Sequence, residues 1–283
     1  MKKSFILLGA LLVVFALGFS SCKKSKKKGC MDSTASNYDS SAEEDDGSCT
    51  YPTPSASQPA GYTPTYTGTY GALVGIKTVT TIDPGFGMPK QDMTLGTAVA
   101  FFSENGGSSF QDAGTVTIKN ASNTIYNLTK QSNNSYVYTP EATNTTGIDF
   151  GSNNYQFEAT GGTWPAFSDW NYDGFMTIGE ITSTDVTVGS EYVLNFDGLS
   201  GPSSNTDSLY IALHSPSGSK FKMIGRNQMT GNTYTFTTAE TGALGKGTGY
   251  AQVVGIKYNY LTTSGRTYYK LNETVRTKMI TFK

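Results

Sequence analysis

Hydrophobic and polar positions alternate with a period of two over much of this chain. Val116 and Ile118 alternate with Thr115, Thr117 and Lys119, and Tyr155 and Phe157 alternate with Gln156 and Glu158. Tyr192, Leu194 and Phe196 form one face of a further run, and Leu209, Ile211 and Leu213 form another. Val254, Ile256, Tyr258 and Tyr260 continue the theme, and Val275, Thr277 and Met279 alternate with Arg276 and Lys278. Successive strand side chains point to opposite faces, so each run reads as a strand. Turn-forming sequences separate them: Asn105-Gly106-Gly107, Asn133-Asn134, Asp173-Gly174, Pro216-Ser217-Gly218 and Ser264-Gly265. Good helix formers are scarce and no window sustains a 3.6 period. The expectation is an all-β body of antiparallel sandwiches. One such domain takes ~100 residues, so the stretch from Tyr66 to Lys283 predicts two Ig-like sandwiches, at 67–177 and 178–283. Tyr70–Lys77 and Tyr250–Lys257 echo each other weakly through a shared Val-Gly-Ile-Lys.

The first 28 residues follow a different pattern. Lys2 and Lys3 precede an uncharged apolar run from Phe5 to Phe19, which is followed by Ser20-Ser21-Cys22. The run is shorter than the ~20 residues a spanning helix needs, and small residues before a cysteine suit a processed signal, here residues 1–21. Phe19-Ser20-Ser21-Cys22 resembles a lipobox, the lipidation site of bacterial lipoproteins, in the variant form of the Bacteroidetes type. That resemblance implies diacylglyceryl on the Cys22 thiol and an acyl (palmitate-like) chain on its amine. Each buried methylene contributes ~0.8 kcal/mol, and two chains already give stable anchoring. The partner implied is a lipid bilayer, in the cell envelope and by the resemblance at the outer membrane, on either its periplasmic or its surface face. Lys23, Lys24, Lys26, Lys27 and Lys28 make residues 22–28 a basic tether, suited to an anionic bilayer. Surface-displayed lipoproteins of this type often carry acidic residues there instead. From Gly29 onward 14 Lys and Arg face 22 Asp and Glu, a net charge of −8, which argues against a nucleic-acid partner.

Residues 29–51 run from Gly29-Cys30-Met31-Asp32 through Asn37-Tyr38-Asp39 to Asp45-Asp46-Gly47-Ser48-Cys49. This resembles a short Cys-closed acidic module of secreted Bacteroidetes proteins, with Ser33 where proline is usual. If lipid consumes Cys22, Cys30 and Cys49 remain as an even pair, as a disulfide in an oxidising compartment requires. So short a segment has almost no core and needs a staple, and a loop of this length closed by a disulfide gains roughly 3 kcal/mol. Asp32, Asp39, Asp45 and Asp46 are hard oxygen ligands of the kind calcium takes. Two readings are open: a calcium site, or a solvated acidic loop held by the disulfide alone. Residues 52–66, with Pro52, Pro54, Pro59 and Pro64, form a stiffened linker.

Within the body, Asp169 to Glu180 matches the pattern D-x-[DN]-x-[DN]-G-x5-E of a calcium-binding EF-hand loop. Asp169, Asn171, Asp173, Thr177 and Glu180 would take positions 1, 3, 5, 9 and 12, with the Phe175 carbonyl between. The flanks do not read as helices. The other reading is a β-hairpin turning at Tyr172-Asp173-Gly174-Phe175, since Asp-Gly favours hairpin turns. Trp164 and Trp170, near the expected domain junction, are the candidate ligand-contacting aromatics. His214 is the only histidine, so a Ser-His-Asp triad has one base to draw on and a zinc site lacks ligands. No pair of carboxylates is singled out by spacing. The sequence predicts a membrane-anchored envelope lipoprotein that is not an enzyme, with a structural or interaction role. The alternative is a carbohydrate- or ligand-binding lipoprotein, calcium-dependent or not, meeting a glycan or an envelope protein.

Overall fold

A computed structural model describes residues 26–31, 37–48, 64, 66–83, 85–106, 109–151, 154–200, 208–225 and 231–283. The signal segment, Cys22, Asp32, Cys49 and most of the linker lie outside the described residues. The chain divides into two compact units, Met1–Ser55 and Ala56–Lys283. Among the described residues no helix is long and apolar enough to cross a membrane.

In the small unit, β1 (Lys28–Gly29) pairs in parallel with β2 (Glu44–Asp45). Cys30 is buried and bridges to Tyr38, and Asn37 Nδ2 donates to the Ser48 carbonyl at 2.7 Å. Two of the lysines assigned to the tether are part of this fold. Lys27 Nζ lies 2.6 Å from Asp39, and Lys28 Nζ lies 3.2 Å from Glu44.

The body is all-β, apart from one short helix. Its strands are β3 (Tyr70–Ile82), β4 (Gln91–Ser103), β5 (Val116–Asn120), β6 (Ile125–Lys130), β7 (Tyr136–Tyr138), β8 (Tyr155–Ala159) and β9 (Phe167–Asn171). There follow β10 (Thr177–Ile178), β11 (Tyr192–Asn195), β12 (Leu199–Ser200), β13 (Ser208–Ser215), β14 (Gly218–Gly225) and β15 (Thr233–Phe236). After a short helix α1 (Thr238–Gly242), capped at Thr237 by Glu240, come the two longest strands, β16 (Gly247–Thr263) and β17 (Arg266–Phe282). Ser264 and Gly265 both have positive φ, 50° and 73°, as a two-residue primed turn needs, and they set Thr263 opposite Arg266.

Among the described residues, eleven strands form one sheet in the order β14-β13-β16-β17-β3-β4-β7-β6-β5-β8-β9. One pair, β17 with β3, is parallel and runs from Thr267↔Tyr70 to Arg276↔Val79; the other neighbours are antiparallel. The sheet rolls until its β8–β9 end packs back on β17, bringing the Phe167 ring 5.0 Å from that of Tyr268. This fold-back encloses a first core that includes Phe102, Ile118, Tyr136, Phe157 and Trp164. A second core lies between β13-β16-β17 and the separate β11–β15 pair, and includes Leu194, Ile211, Phe236, Val253 and Phe282. Along the chain the change of core falls between Phe175 and Met176. A third buried cluster, of Val74, Val254, Ile256, Tyr258 and Leu271, lies on the outer face of the same sheet. The two expected sandwiches fall within one compact unit, one sheet runs through both inner cores, and Tyr268 of β17 belongs to the first. Tyr66, placed in the linker by composition, packs on the body against Tyr70, Phe101 and Tyr269, with its ring 5.0 Å from that of Tyr70.

Candidate functional site

A row of buried polar side chains lies along β17. Its even-numbered residues face inward, and Lys270, Asn272, Thr274 and Arg276 are each 5% exposed or less. A single stretch of chain, 169–183, passes over that face as it leaves one core for the other. Each of these β17 side chains, with Lys278 beyond them, donates to a main-chain carbonyl of the crossing stretch. Lys270 Nζ reaches the Trp170 carbonyl at 2.9 Å, and Asn272 Nδ2 reaches that of Gly174. Thr274 Oγ1 reaches Met176 at 2.6 Å, Arg276 Nε reaches Ile178 at 3.1 Å and Lys278 Nζ reaches Ser183 at 2.8 Å. Buried carbonyls of the crossing chain that no strand neighbour takes must find other donors. The two-residue period of β17 supplies one about every 6.8 Å.

The calcium-loop candidates belong to this seam. Asp169 lies 3.1 Å from Lys270 Nζ, and burial pushes its carboxyl above the usual range against that lysine's pull. Asn171 is fully buried; its Nδ2 donates to the Tyr155 hydroxyl at 3.0 Å and to Asn272 Oδ1 at 2.8 Å. The Tyr155 hydroxyl, which burial holds protonated, donates to Asn272 Oδ1 as well. Asp173 accepts from Asn259 through its side chain and from Lys257 through its carbonyl. The Phe175 ring is in the first core with Lys77 Nζ 4.5 Å above it. Thr177 pairs with Ser200, and Glu180 forms an ion pair with Lys90 at 2.6 Å. These residues are thus strung along a crossing chain, each facing a different partner. Among the described residues no three His, Cys, Asp or Glu side chains gather closely enough to hold a metal ion. The hairpin reading is corrected too: β9 pairs with β8 and β10 with β12, so Tyr172–Phe175 connects two cores and not two neighbouring strands.

Trp164 is also corrected as a surface residue. It is fully buried, tilted against Phe102 at 5.3 Å, and offers no face to a ligand. Trp170 is half-buried, stacked on Tyr172 at 5.9 Å with Lys119 Nζ 5.9 Å from its ring. His214 Nδ1 lies 2.8 Å from Ser219 Oγ and its ring stacks on Tyr250 at 4.4 Å, both cross-strand neighbours. In the small unit, Asp39 accepts from Ser41 and pairs with Lys27, which holds its carboxyl down at about 2. Asp45 and Asp46 cap the local turn, accepting from the amides of Gly47 and Ser48.

Two cavities adjoin the seam. One of about 240 Å3 lies at the change of core, beside Lys77, Phe175 and the ion pair in which Arg276 Nη2 stands 2.6 Å from Asp92 Oδ2. The other, of about 310 Å3, opens beside Phe167, Asp169, Leu261, Arg266 and Tyr268. Sequence reasoning missed both, along with the seam. The one available signal was the row of polar residues at every second position from Lys270 to Lys278.

No family model matches this chain. No curated protein matches it either. Among solved structures it is similar to a tetra-tandem repeat in the extending region of a large adhesion protein. The identity is 14% and the TM-score 0.22, over 75% of this chain and 49% of the other. It is also similar to the FN1–FN3 domains of chicken CNTN1, at 10% identity and a TM-score of 0.20, over 64% of this chain and 62% of that one. The chain thus spans about half the length of the adhesion repeat it matches. Neither likeness carries an argument about what the chain does.

Proposed function

We propose that this chain is a lipid-anchored protein of a bacterial cell envelope, held at the outer membrane through Cys22, with a non-catalytic structural or interaction role. The anchor rests on the signal-like segment and Phe19-Ser20-Ser21-Cys22. The observation that carries the non-catalytic reading is the seam. The buried Lys257, Lys270, Asn272 and Arg276 side chains are engaged in fastening one stretch of backbone to the sheet. Groups so engaged are not poised to exchange protons with a substrate. A body built this way is a scaffold, with two cores held on one sheet. The staple of the small unit belongs to the same reading. Cys30 is buried and disulfide-bonded, and pairing it with Cys49 leaves Cys22 for lipid.

The test is metabolic labelling with an alkyne-bearing fatty acid in a lipoprotein-processing bacterial host. The chain should take up label and sediment with membranes, and Cys22→Ser should abolish both. Label and sedimentation that survive Cys22→Ser would remove the anchor reading.

A further inference from the structure

We infer that the tip of the β16–β17 hairpin holds a binding cleft for a small organic carboxylate carried on a flat or apolar body. The cleft has a volume of about 310 Å3, at the small end of the range for ligand pockets and enough for a single ring. Phe167, Leu261 and Tyr268 form its apolar walls, and Arg266 and Asp169 are its charged groups. Asp169 is offset by Lys270 at 3.1 Å, so the guanidinium leaves the cleft net positive.

Arg266 is the unusual member. Among the described residues it forms no ion pair: the carboxylates within salt-bridge reach of lysine or arginine all belong to other cations. Its Nε is buried without a hydrogen-bond partner, and its Nη1 reaches only the Ser264 carbonyl at 3.4 Å, the long end of the range. The guanidinium carbon lies 5.1 Å from the centre of the Trp164 ring, which is itself fixed in the first core. Stacking on an aromatic face holds a guanidinium in place, and its planar fork matches a carboxylate with two parallel hydrogen bonds. The tight Ser264-Gly265 turn fixes Arg266 opposite Thr263, so little ordering cost is left for binding. A carboxylate would satisfy a buried donor that now has no partner, while the ring bearing it lies against Phe167, Leu261 and Tyr268. Asp169 disfavours a more highly charged anion such as phosphate. Trp164 thus contributes as the platform beneath the arginine and not as a contact.

This inference goes beyond the scaffold role and is independent of lipid at Cys22, so either can fail alone. The experiment is titration calorimetry on the full chain in detergent with two carboxylates, hippurate (flat) and cyclohexanecarboxylate (apolar). Hippuramide and cyclohexanecarboxamide serve as their uncharged counterparts. At least one carboxylate should saturate in the millimolar range or tighter, with about tenfold weaker binding of its counterpart. Arg266→Gln should cost at least about tenfold. Leu261→Trp, which fills the cleft and leaves Arg266 in place, should do the same and keeps the test decisive if Arg266→Gln fails to fold. Whichever carboxylate binds more tightly identifies the body the walls prefer. The inference is overturned if neither carboxylate saturates, if the uncharged counterparts bind equally well, or if Leu261→Trp leaves binding unchanged.

Discussion

Replacing Asn272 by leucine removes the centre of the seam without opening a cavity, since the two side chains share one branched skeleton of four heavy atoms and leucine is the larger. Asn272 is 1% exposed; it donates to the Gly174 carbonyl and accepts from Asn171 and Tyr155. In the variant the Gly174 carbonyl has no donor, while Asn171 Nδ2 and the Tyr155 hydroxyl keep only each other, at 3.0 Å. A buried polar group left without a partner costs about 1–3 kcal/mol. One full orphan and one half-satisfied pair therefore amount to about 2–5 kcal/mol. At about 2–4 °C per kcal/mol for a body of this size, Tm should fall by about 4–20 °C. The assay is urea unfolding followed by tryptophan fluorescence. Trp164 sits in the first core and the Trp170 carbonyl is bonded to Lys270, so both rings report on the region. Lys278→Met is the internal comparison. It removes one donor from the half-buried end of the same row and should cost about 0.5–1.5 kcal/mol. If Asn272→Leu costs no more than Lys278→Met, the argument from buried hydrogen-bond satisfaction is wrong.

Three further outcomes are expected. Arg276 holds the Asp92 carboxyl at about 2, below its ordinary value, so the ion pair stabilises above about pH 4 and is lost as pH falls toward about 2. Asp92 is half exposed, so Asp92→Asn should cost no more than about 1 kcal/mol at neutral pH, and the stability curves of variant and parent should merge near pH 2. Glu273 lies on the outer face of β17 between Ile256 and Ile76, and burial raises its carboxyl above the ordinary value. A raised acid makes the folded state bind protons the unfolded state has already lost. Stability therefore falls as pH rises through that window, and the penalty stays in force above it. Glu273→Gln should raise Tm at pH 8, with the gain vanishing toward pH 4 in scanning calorimetry. A Cβ at Gly75 would stand 2.5 Å from the hydroxyl oxygen of Tyr155, which is held by two asparagines. Gly75→Ala should therefore destabilise by about 1–3 kcal/mol in urea unfolding. Gly255→Ala meets the Sδ of Met176 at 2.9 Å, an adaptable side chain, and should cost less.

The strands were legible because alternation is a local property. Val116 and Ile118 are buried while Thr117 and Lys119 are not, and the Ser264-Gly265 turn closes the hairpin expected of it. The inward face of β17 was not legible. Arg276 is 5% exposed and Met279 is 66% exposed, the reverse of what an apolar-inside rule assigns. That rule presumes that side chains cover a sheet face. Here the backbone of the crossing stretch covers it, and the carbonyls that its own strand pairing leaves free demand donors where apolar groups would leave them unsatisfied. The calcium-like spacing from Asp169 to Glu180 is real in sequence. Its meaning is set by Lys257, Lys270 and Lys90, each about 80 residues or more distant along the chain and invisible to a local pattern. Trp164 was misplaced for a related reason: it was assigned to an exposed domain junction, whereas the rolled sheet closes over it and makes it part of the first core.

The echo between Tyr70–Lys77 and Tyr250–Lys257 acquires a physical reason from the same seam. The two copies lie on β3 and β16, the strands on either side of β17. Gly75 stands opposite Asn272 and Gly255 opposite Thr274, both on the inward face. Without a Cβ, each lets another element approach closely: Tyr155 at Gly75, and Met176 of the crossing chain at Gly255. Two residues on, each copy places a lysine against that chain. Lys77 lies over the Phe175 ring, and Lys257 donates to the Asp173 carbonyl. The same four residues thus meet one geometric demand from two sides, small where the packing is closest and cationic where the crossing backbone and ring need a partner. This also explains how two cores can share one sheet. The chain that passes between them is gripped by three adjacent strands, so neither core can detach without breaking contacts that belong to both.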